Sequence, residues 1–351
     1  MDAERSTSAL VRAMRQLPKA SMHLHLEGAL RWSTVRSRHP EGEAFADHQP
    51  WLGAADPFPD FTDFLDVFQR FLRPSTGSCD AIELHTQHVL EDLAAQGVRY
   101  VDLIVSVPFH RERGLSQRQV LEAMSHGCAR AAVTSGIDVQ VVYGLNRHRP
   151  LAEVEAELDE ALGLVGMAPA GLIAAIDLQG DERVGRAVDW KPLFRRAEAS
   201  GLRLRAHAGE LCGASSVREV LDQLGVRHIS HGVRAIEDPA LVRRLATEKI
   251  WLHVCPSSNT LLHVMPADQP HPLRALLDAG CQVTIDADDP VMFGVDISAE
   301  QARLVEEYGF EPAQVADLAI ASIRACALEQ TSRSRAIDDI ERWKQKYAAE
   351  I

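Results

Sequence analysis

Short apolar or β-branched runs recur along the whole chain: "SMHLHL" (21–26), "RYVDLIVS" (99–106), "DVQVVYGL" (138–145), "LIAAIDLQG" (172–180), "LRLRAHAG" (202–209), "RHISHG" (227–232), "IWLHVCP" (250–256) and "QVTIDADD" (282–289). Runs of this kind read as buried strands, which gives eight. Between them lie stretches with apolar residues at helical spacing, such as 117–136, 151–166, 215–225 and 271–280. Strand then helix, repeated eight times, predicts an α/β protein whose parallel sheet closes as a (β/α)8 TIM-type barrel. An open doubly wound sheet is the alternative. No G-x-G-x-x-G follows the first strand to support its dinucleotide-binding form.

Two segments exceed a minimal barrel. Residues 27–97 form a long helical excursion after the first strand, and within it "FPDFTDFLDVFQRFLRP" (58–74) repeats Phe61, Phe64, Leu65, Phe68 and Phe71 at helical spacing. That pattern predicts a helix packing its apolar face on the barrel, with a lid over an apolar ligand as the other reading. Residues 298–351 read as C-terminal helices covering the barrel. The sequence contains no internal repeat, low-complexity tract or linker, so 1–351 is read as one domain, a size that α/β barrels reach.

Composition narrows the function. Lys+Arg 37 against Asp+Glu 50 leaves a net charge of −13, a surface that repels nucleic acid and anionic membranes. The first twenty residues lack a signal-like apolar core, and no segment has the ~18 uninterrupted apolar residues of a membrane span. A cytoplasmic protein is expected. The six cysteines, at 79, 128, 212, 255, 281 and 326, form no C-x-x-C pair and are read as free thiols.

The chemistry lies in polar residues placed within apolar strands. In "SMHLHL", His23 and His25 are two apart and share one face, while Met22, Leu24 and Leu26 share the other. In a barrel strand the imidazoles then point inward, where something must satisfy them. Alone, H-x-H is a weak signal. The fifth strand, however, ends with His207 and Glu210, the sixth with His231, and the eighth with Asp288 and Asp289. All fall at C-terminal strand ends, where barrel enzymes place their chemistry. Imidazole plus carboxylate suits a borderline divalent ion such as Zn²⁺. His228, three positions from His231, is assigned to the opposite face. Asp286 would share the face of Asp288 and could support the ligands.

With "LPKASMHLHLEGAL", "IDLQGDE", "AHAGE", "RHISHG", "CPSSN" and "IDADDP" present in order, the chain resembles the adenosine deaminase family of the amidohydrolase superfamily from about residue 17 to 330. The resemblance implies one zinc per chain, held by His23, His25, His207 and Asp288. It implies that Glu210 is the proton donor to ring nitrogen 1 of a purine, and that His231 orients the zinc hydroxide and assists proton movement. Asp288 then counts among the catalytic residues too. Asp289 would contact ring nitrogen 7, the backbone N–H of Gly180 ring nitrogen 3, and Glu27 the sugar or sugar-like part of the substrate. "CPSSN" is taken as chiefly structural. The cytidine-deaminase type, H-x-E with a later P-C-x-x-C, is excluded because no two cysteines have that spacing.

The expected activity is zinc-dependent hydrolytic deamination of a 6-aminopurine nucleoside. Free-base adenine deamination is the alternative, and a catalytically silent binding barrel a third reading. Ser21-Met22, Ile104, His253 and Asp286-Ala287 depart from common family residues without touching a predicted ligand. The family's adenosine deaminases usually carry aspartate at the position of Glu27 and its adenine deaminases glutamate. "GALRW" after it lacks the L-E-P that often accompanies the adenine-specific form, which favours a nucleoside. The expected partner is a small 6-aminopurine, with neither nucleic acid nor membrane. Oligomeric state is not legible.

Overall fold

Each of the eight apolar runs forms a strand in the computed structural model, which describes residues 9–111, 114–169, 171–266 and 268–347. The strands are β1 (Lys19–His25), β2 (Val98–Val105), β3 (Asp138–Asn146), β4 (Ile173–Gln179), β5 (Arg203–Ala208), β6 (His228–His231), β7 (Trp251–Val254) and β8 (Gln282–Ile285). Neighbours pair in parallel and in chain order. Between β8 and β1 the closure is a single bridge, Leu24 with Asp288. There the His25 N–H reaches the Asp288 carbonyl at 3.0 Å, and the Asp288 N–H the His23 carbonyl at 3.3 Å. The result is a nearly closed (β/α)8 barrel.

The helices follow local signals. Gln117–Ser135 starts at Ser116, whose hydroxyl accepts the Gln119 N–H while the Gln119 side chain reaches back, and it ends at Gly136 in the left-handed region (φ 64°). Its inner face buries Val120, Leu121 and Met124, and the next helix, Leu151–Leu162, buries Val154, Leu158 and Ala161. Full burial of such aliphatic side chains stabilises by about 1.5–3 kcal/mol each. Outside the barrel, helix Pro312–Ala325 packs on β1 and β8, where Ser322 Oγ accepts the Ala20 N–H at 2.9 Å. No helix among the described residues is long and apolar enough to cross a membrane.

The 58–74 segment is helical over Phe61–Val67, then continues as a π-turn (Phe68–Leu72) and a 3₁₀ turn (Arg73–Ser75). Phe64 stacks on Phe293 at 5.6 Å and meets Phe68 at 5.0 Å, and Phe68 in turn meets Phe109. Packing and cavity wall coincide here, since Phe61, Phe64, Leu65 and Phe68 also face the cavity at the barrel mouth.

Beneath the mouth, the barrel interior is polar. Fully buried Arg205 donates from Nη1 to Asp102 at 2.8 Å and from Nε to Asp177 at 3.2 Å, and Arg203 grips Asp102 at 2.7 and 2.9 Å. Each buried charge has a partner, the condition under which its desolvation cost is offset. This layer supports the site from below, because Asp177 also accepts from His207.

Candidate active site

The histidines and carboxylates singled out in the sequence converge at the C-terminal mouth. His23 and His25 project inward from β1, His207 from β5, and Asp288 from the turn after β8. His207 Nε2 lies 3.1 Å from His23 Nε2 and 3.2 Å from His25 Nε2, while Asp288 Oδ1 lies 3.2 and 3.4 Å from the same two atoms. Tetrahedral ligands at zinc-like bond lengths of about 2.0–2.1 Å stand about 3.3–3.4 Å apart. The measured separations match.

The protons argue the same way. His207 Nδ1 meets Asp177 Oδ1 at 2.9 Å, and His23 Nδ1 meets the His253 carbonyl at 3.2 Å. Carboxylate and carbonyl oxygens only accept, so both Nδ1 atoms carry a proton and each Nε2 turns toward the cluster. Burial would lower the His23 pKa, but the Asp288 carboxylate outweighs it and raises it, so this position favours a positive charge, a proton or a metal ion. Two lone pairs facing each other at 3.1 Å repel unless a cation lies between them. Burial also holds His25 neutral, its pKa pushed down to about 4. The donor set therefore fits a divalent metal ion.

Glu210 and His231 stand on the open side of this cluster, 3.4 Å apart from Oε1 to Nε2, with His231 Nε2 3.9 Å from Asp288 Oδ2. Burial, then the negative charges of Asp288, Glu182 and Asp181, push the Glu210 carboxyl well above its usual range, which favours its protonated form. Burial, then the neighbouring His23, pushes His231 well below its usual value and keeps it neutral. Asp289 is raised by burial and by Asp288, and its buried Oδ1 has no protein partner.

Gly180 shows why backbone approaches the cavity here. Its φ is +89°, and a Cβ would come 2.9 Å from His148 Nδ1. Gly28 makes room in another way, because a Cβ there would lie 1.7 Å from Asp289 Oδ1. Glu27 is buried at the mouth. Its Oε1 accepts the Ser106 N–H at 2.7 Å and sits 2.9 Å from His110 Nε2. Burial alone would raise the Glu27 pKa, but the hydrogen bond and charge of His110 outweigh it and keep the carboxylate ionised.

Sequence reasoning missed several supports. Asp177 accepts from His207, Arg205 and Ser230 Oγ (3.0 Å), and Glu182 accepts the N–H groups of Gly209, Glu210 and Cys212 at 2.6, 3.0 and 2.8 Å. Both lie in "IDLQGDE", where the inward acids of a strand and its loop were the available signal. Asn259 of "CPSSN" contacts His231 at 3.1 Å, so this motif reaches the site rather than serving structure alone.

Two placements differ from expectation. His228 lies on the interior side, stacked on His253 with Nδ1–Nε2 at 3.0 Å, and not on the face opposite His231. The cause is the positive φ of His231 (65°), which breaks the two-residue alternation. Asp286 lies beyond the end of β8 and binds Ser21 Oγ (2.6 Å) and the Met22 N–H (2.9 Å), tying β1 to the eighth strand's turn.

A (β/α)8 barrel with three histidines, one aspartate and a buried glutamate at its mouth is the arrangement of a metal-assisted hydrolase of the amidohydrolase type. The comparisons narrow the class. Residues 18–343 match the adenosine deaminase family model, and the chain belongs to that family. An adenine deaminase of Rhizobium rhizogenes is 35% identical over 329 residues, covering 91% of this chain and 97% of the relative. The crystal structure of an adenine deaminase from Arthrobacter aurescens superposes with a TM-score of 0.83 at 28% identity, covering 93% of this chain and 99% of its own. A zinc-bound amidohydrolase from Burkholderia ambifaria shares the fold, with a TM-score of 0.83 at 22% identity and coverage of 99% and 97%. The protein is a hydrolytic deaminase.

Proposed function

We propose that this enzyme deaminates free adenine, exchanging the 6-amino group for oxygen with water as co-substrate and ammonia as leaving group. The observation that carries the base rather than the nucleoside is the wall around Glu27. Oε1 of Glu27 is committed to Ser106 and His110, and Phe109, Phe68 and Phe64 continue the wall in mutual contact. Sugar hydroxyls buried against such rings would lose their hydrogen bonds to water. The adenine deaminases at 31–35% identity support the same choice. One observation favours the nucleoside expected from the sequence. The cavity, about 450 Å³, is within the size range of small-molecule sites and larger than a base alone requires.

The residues take these roles. His23, His25, His207 and Asp288 would hold one Zn²⁺, which when bound supplies Lewis-acid activation of water near neutral pH. Glu210 donates its proton to ring nitrogen 1, so that the ring can accept electron density as carbon 6 is attacked. Protonated Asp289 offers its unpartnered carboxyl edge to ring nitrogen 7, and the Gly180 N–H faces ring nitrogen 3. His231 orients the attacking oxygen.

The test is ammonia release by zinc-loaded protein from adenine, adenosine, 2'-deoxyadenosine and adenylate. The expected result is the highest kcat/KM with adenine. Efficient turnover of a nucleoside with adenine inert would replace the base by the nucleoside.

A further inference from the structure

A chain of hydrogen bonds behind His231 begins at a backbone amide and ends at the reaction centre. Helix Leu273–Asp278 starts just after His271, and the Leu273 N–H, free of any intrahelical partner, points at His271 Nδ1 at 3.2 Å. A backbone N–H can only donate, so His271 Nδ1 must accept. Burial pushes the His271 pKa down to about 4, so the ring is neutral and its single proton sits on Nε2. That proton is given to Asn259 Oδ1 at 3.1 Å. The amide orientation is thereby fixed, and Asn259 Nδ2, 3.1 Å from His231 Nδ1, must donate there. His231 Nδ1 is then an acceptor, and the ring's proton is on Nε2, directed at Glu210 Oε1 and Asp288 Oδ2.

We infer that Asn259 and His271 are positioning residues that lock His231 in its Nε2–H tautomer, making it a hydrogen-bond donor to the reacting oxygen and not a base that takes a proton from water. Both are remote from the substrate and act through His231. Asn259 is 1% exposed and His231 1%, so water does not compete for these bonds. The role of the lock rests on the deaminase reading above, but the tautomer itself is observable without substrate.

The experiment is long-range ¹H–¹⁵N correlation NMR on zinc-loaded protein labelled at histidine nitrogens, with His231 assigned by its loss in His231→Gln. In the parent, His231 should show a protonated Nε2 and an unprotonated Nδ1. Asn259→Asp replaces the donor by an acceptor of the same shape, so the His231 proton should move to Nδ1. Its kcat should fall on the order of 10²–10⁴-fold, as a wrong tautomer costs in hydrolases, with KM within a few-fold. His271→Phe should lower kcat and leave His231 a mixture of tautomers, while His271→Gln, which retains a donor toward Asn259, should restore both. A protonated Nδ1 in the parent overturns the inference even if no variant folds. Persistence of Nε2–H in Asn259→Asp overturns it as well. Failure of adenine turnover alone, with the tautomer as stated, counts against the substrate assignment and not the lock.

Discussion

Glu182 shows how much of the site depends on a residue that never reaches the substrate. Its carboxyl takes three backbone N–H groups from the loop carrying the proton donor: Gly209 on Oε1, and Glu210 and Cys212 on Oε2. Glu182→Gln keeps the size but leaves one oxygen. The amide can preserve the pair on the Oε2 side, and its NH₂ then faces the Gly209 N–H, a donor against a donor. An unsatisfied buried N–H costs about 1–3 kcal/mol, and two charge-assisted bonds reduced to neutral ones lose about 1 kcal/mol each. The sum is about 3–5 kcal/mol of stability. Urea unfolding should show a lower midpoint at unchanged slope, because the surface exposed on unfolding stays the same. Turnover should fall further than stability implies at temperatures where the variant is fully folded, since Gly209 (φ +68°) and Glu210 lose their tether. Metal content should be retained, as no predicted ligand touches Glu182. An unfolding midpoint and kcat both equal to the parent's would refute the reasoning.

Three further outcomes are expected. His207→Ala should purify metal-poor by elemental analysis while the parent carries about one zinc per chain, because the variant leaves a partial donor set. Glu210→Gln should keep metal and fold but lose on the order of 10²–10⁴-fold in kcat, with ligand affinity largely retained, because an amide does not relay the proton. The third concerns acid stability. Burial would raise the Asp102 pKa, but Arg203 and Arg205 outweigh it and hold the carboxylate below its usual range. Its contribution is therefore present above the ordinary carboxylate pKa of about 3.9 and lost as pH falls below it. Urea midpoints should drop across that window, and Asp102→Asn should be destabilised by about 3–5 kcal/mol at pH 7 with a shallower acid dependence.

The residues legible in the sequence are those whose side chains follow strand alternation. His23 and His25 stand out because polar groups two apart in an apolar run must share an inward face, and the structure puts them there. The eight strands were legible for the same reason, each being a short apolar run between polar helices. Alternation fails where the backbone leaves the strand. His231 and Asp288 have φ of 65° and 60°, so their neighbours cannot be assigned a face by counting, and His228 is misplaced as a consequence. A second class of contacts was hidden, even for a residue singled out in the sequence such as Glu27, because its bonds join the chain to backbone or cross long loops. Glu182 binds three N–H groups, Glu27 meets a histidine 83 residues away, and Asn259 is oriented by His271. No periodicity reports such pairings.

His231 and Asp288, two of the four left-handed non-glycine residues described, also link the fold to the site. A left-handed conformation is uncommon for non-glycine residues, and it persists where surrounding contacts over-determine it. At Asp288 those contacts are the bonds that close the barrel, its N–H to His23 and its carbonyl from His25. The aspartate that faces the imidazoles is thus the residue through which β8's turn meets β1, so the seam places its backbone beside His23 and His25. Asp286, bound to Ser21 and Met22, reinforces the same join two residues earlier. Metal binding at the proposed set is therefore expected to couple to barrel closure. An ion that draws Asp288 Oδ1 toward His23 and His25 favours the closed β1–β8 seam, and stabilises the folded chain by RT ln(1 + [M]/Kd) because the unfolded chain lacks the preformed set. Amide exchange should register the coupling locally: removal of metal should accelerate exchange at His25 and Asp288, whose N–H groups form the seam, well before it affects the β2–β3 ladder, whose strands carry no predicted ligand. Uniform acceleration across the barrel, or none at the seam, would show that the ion and the closure are independent.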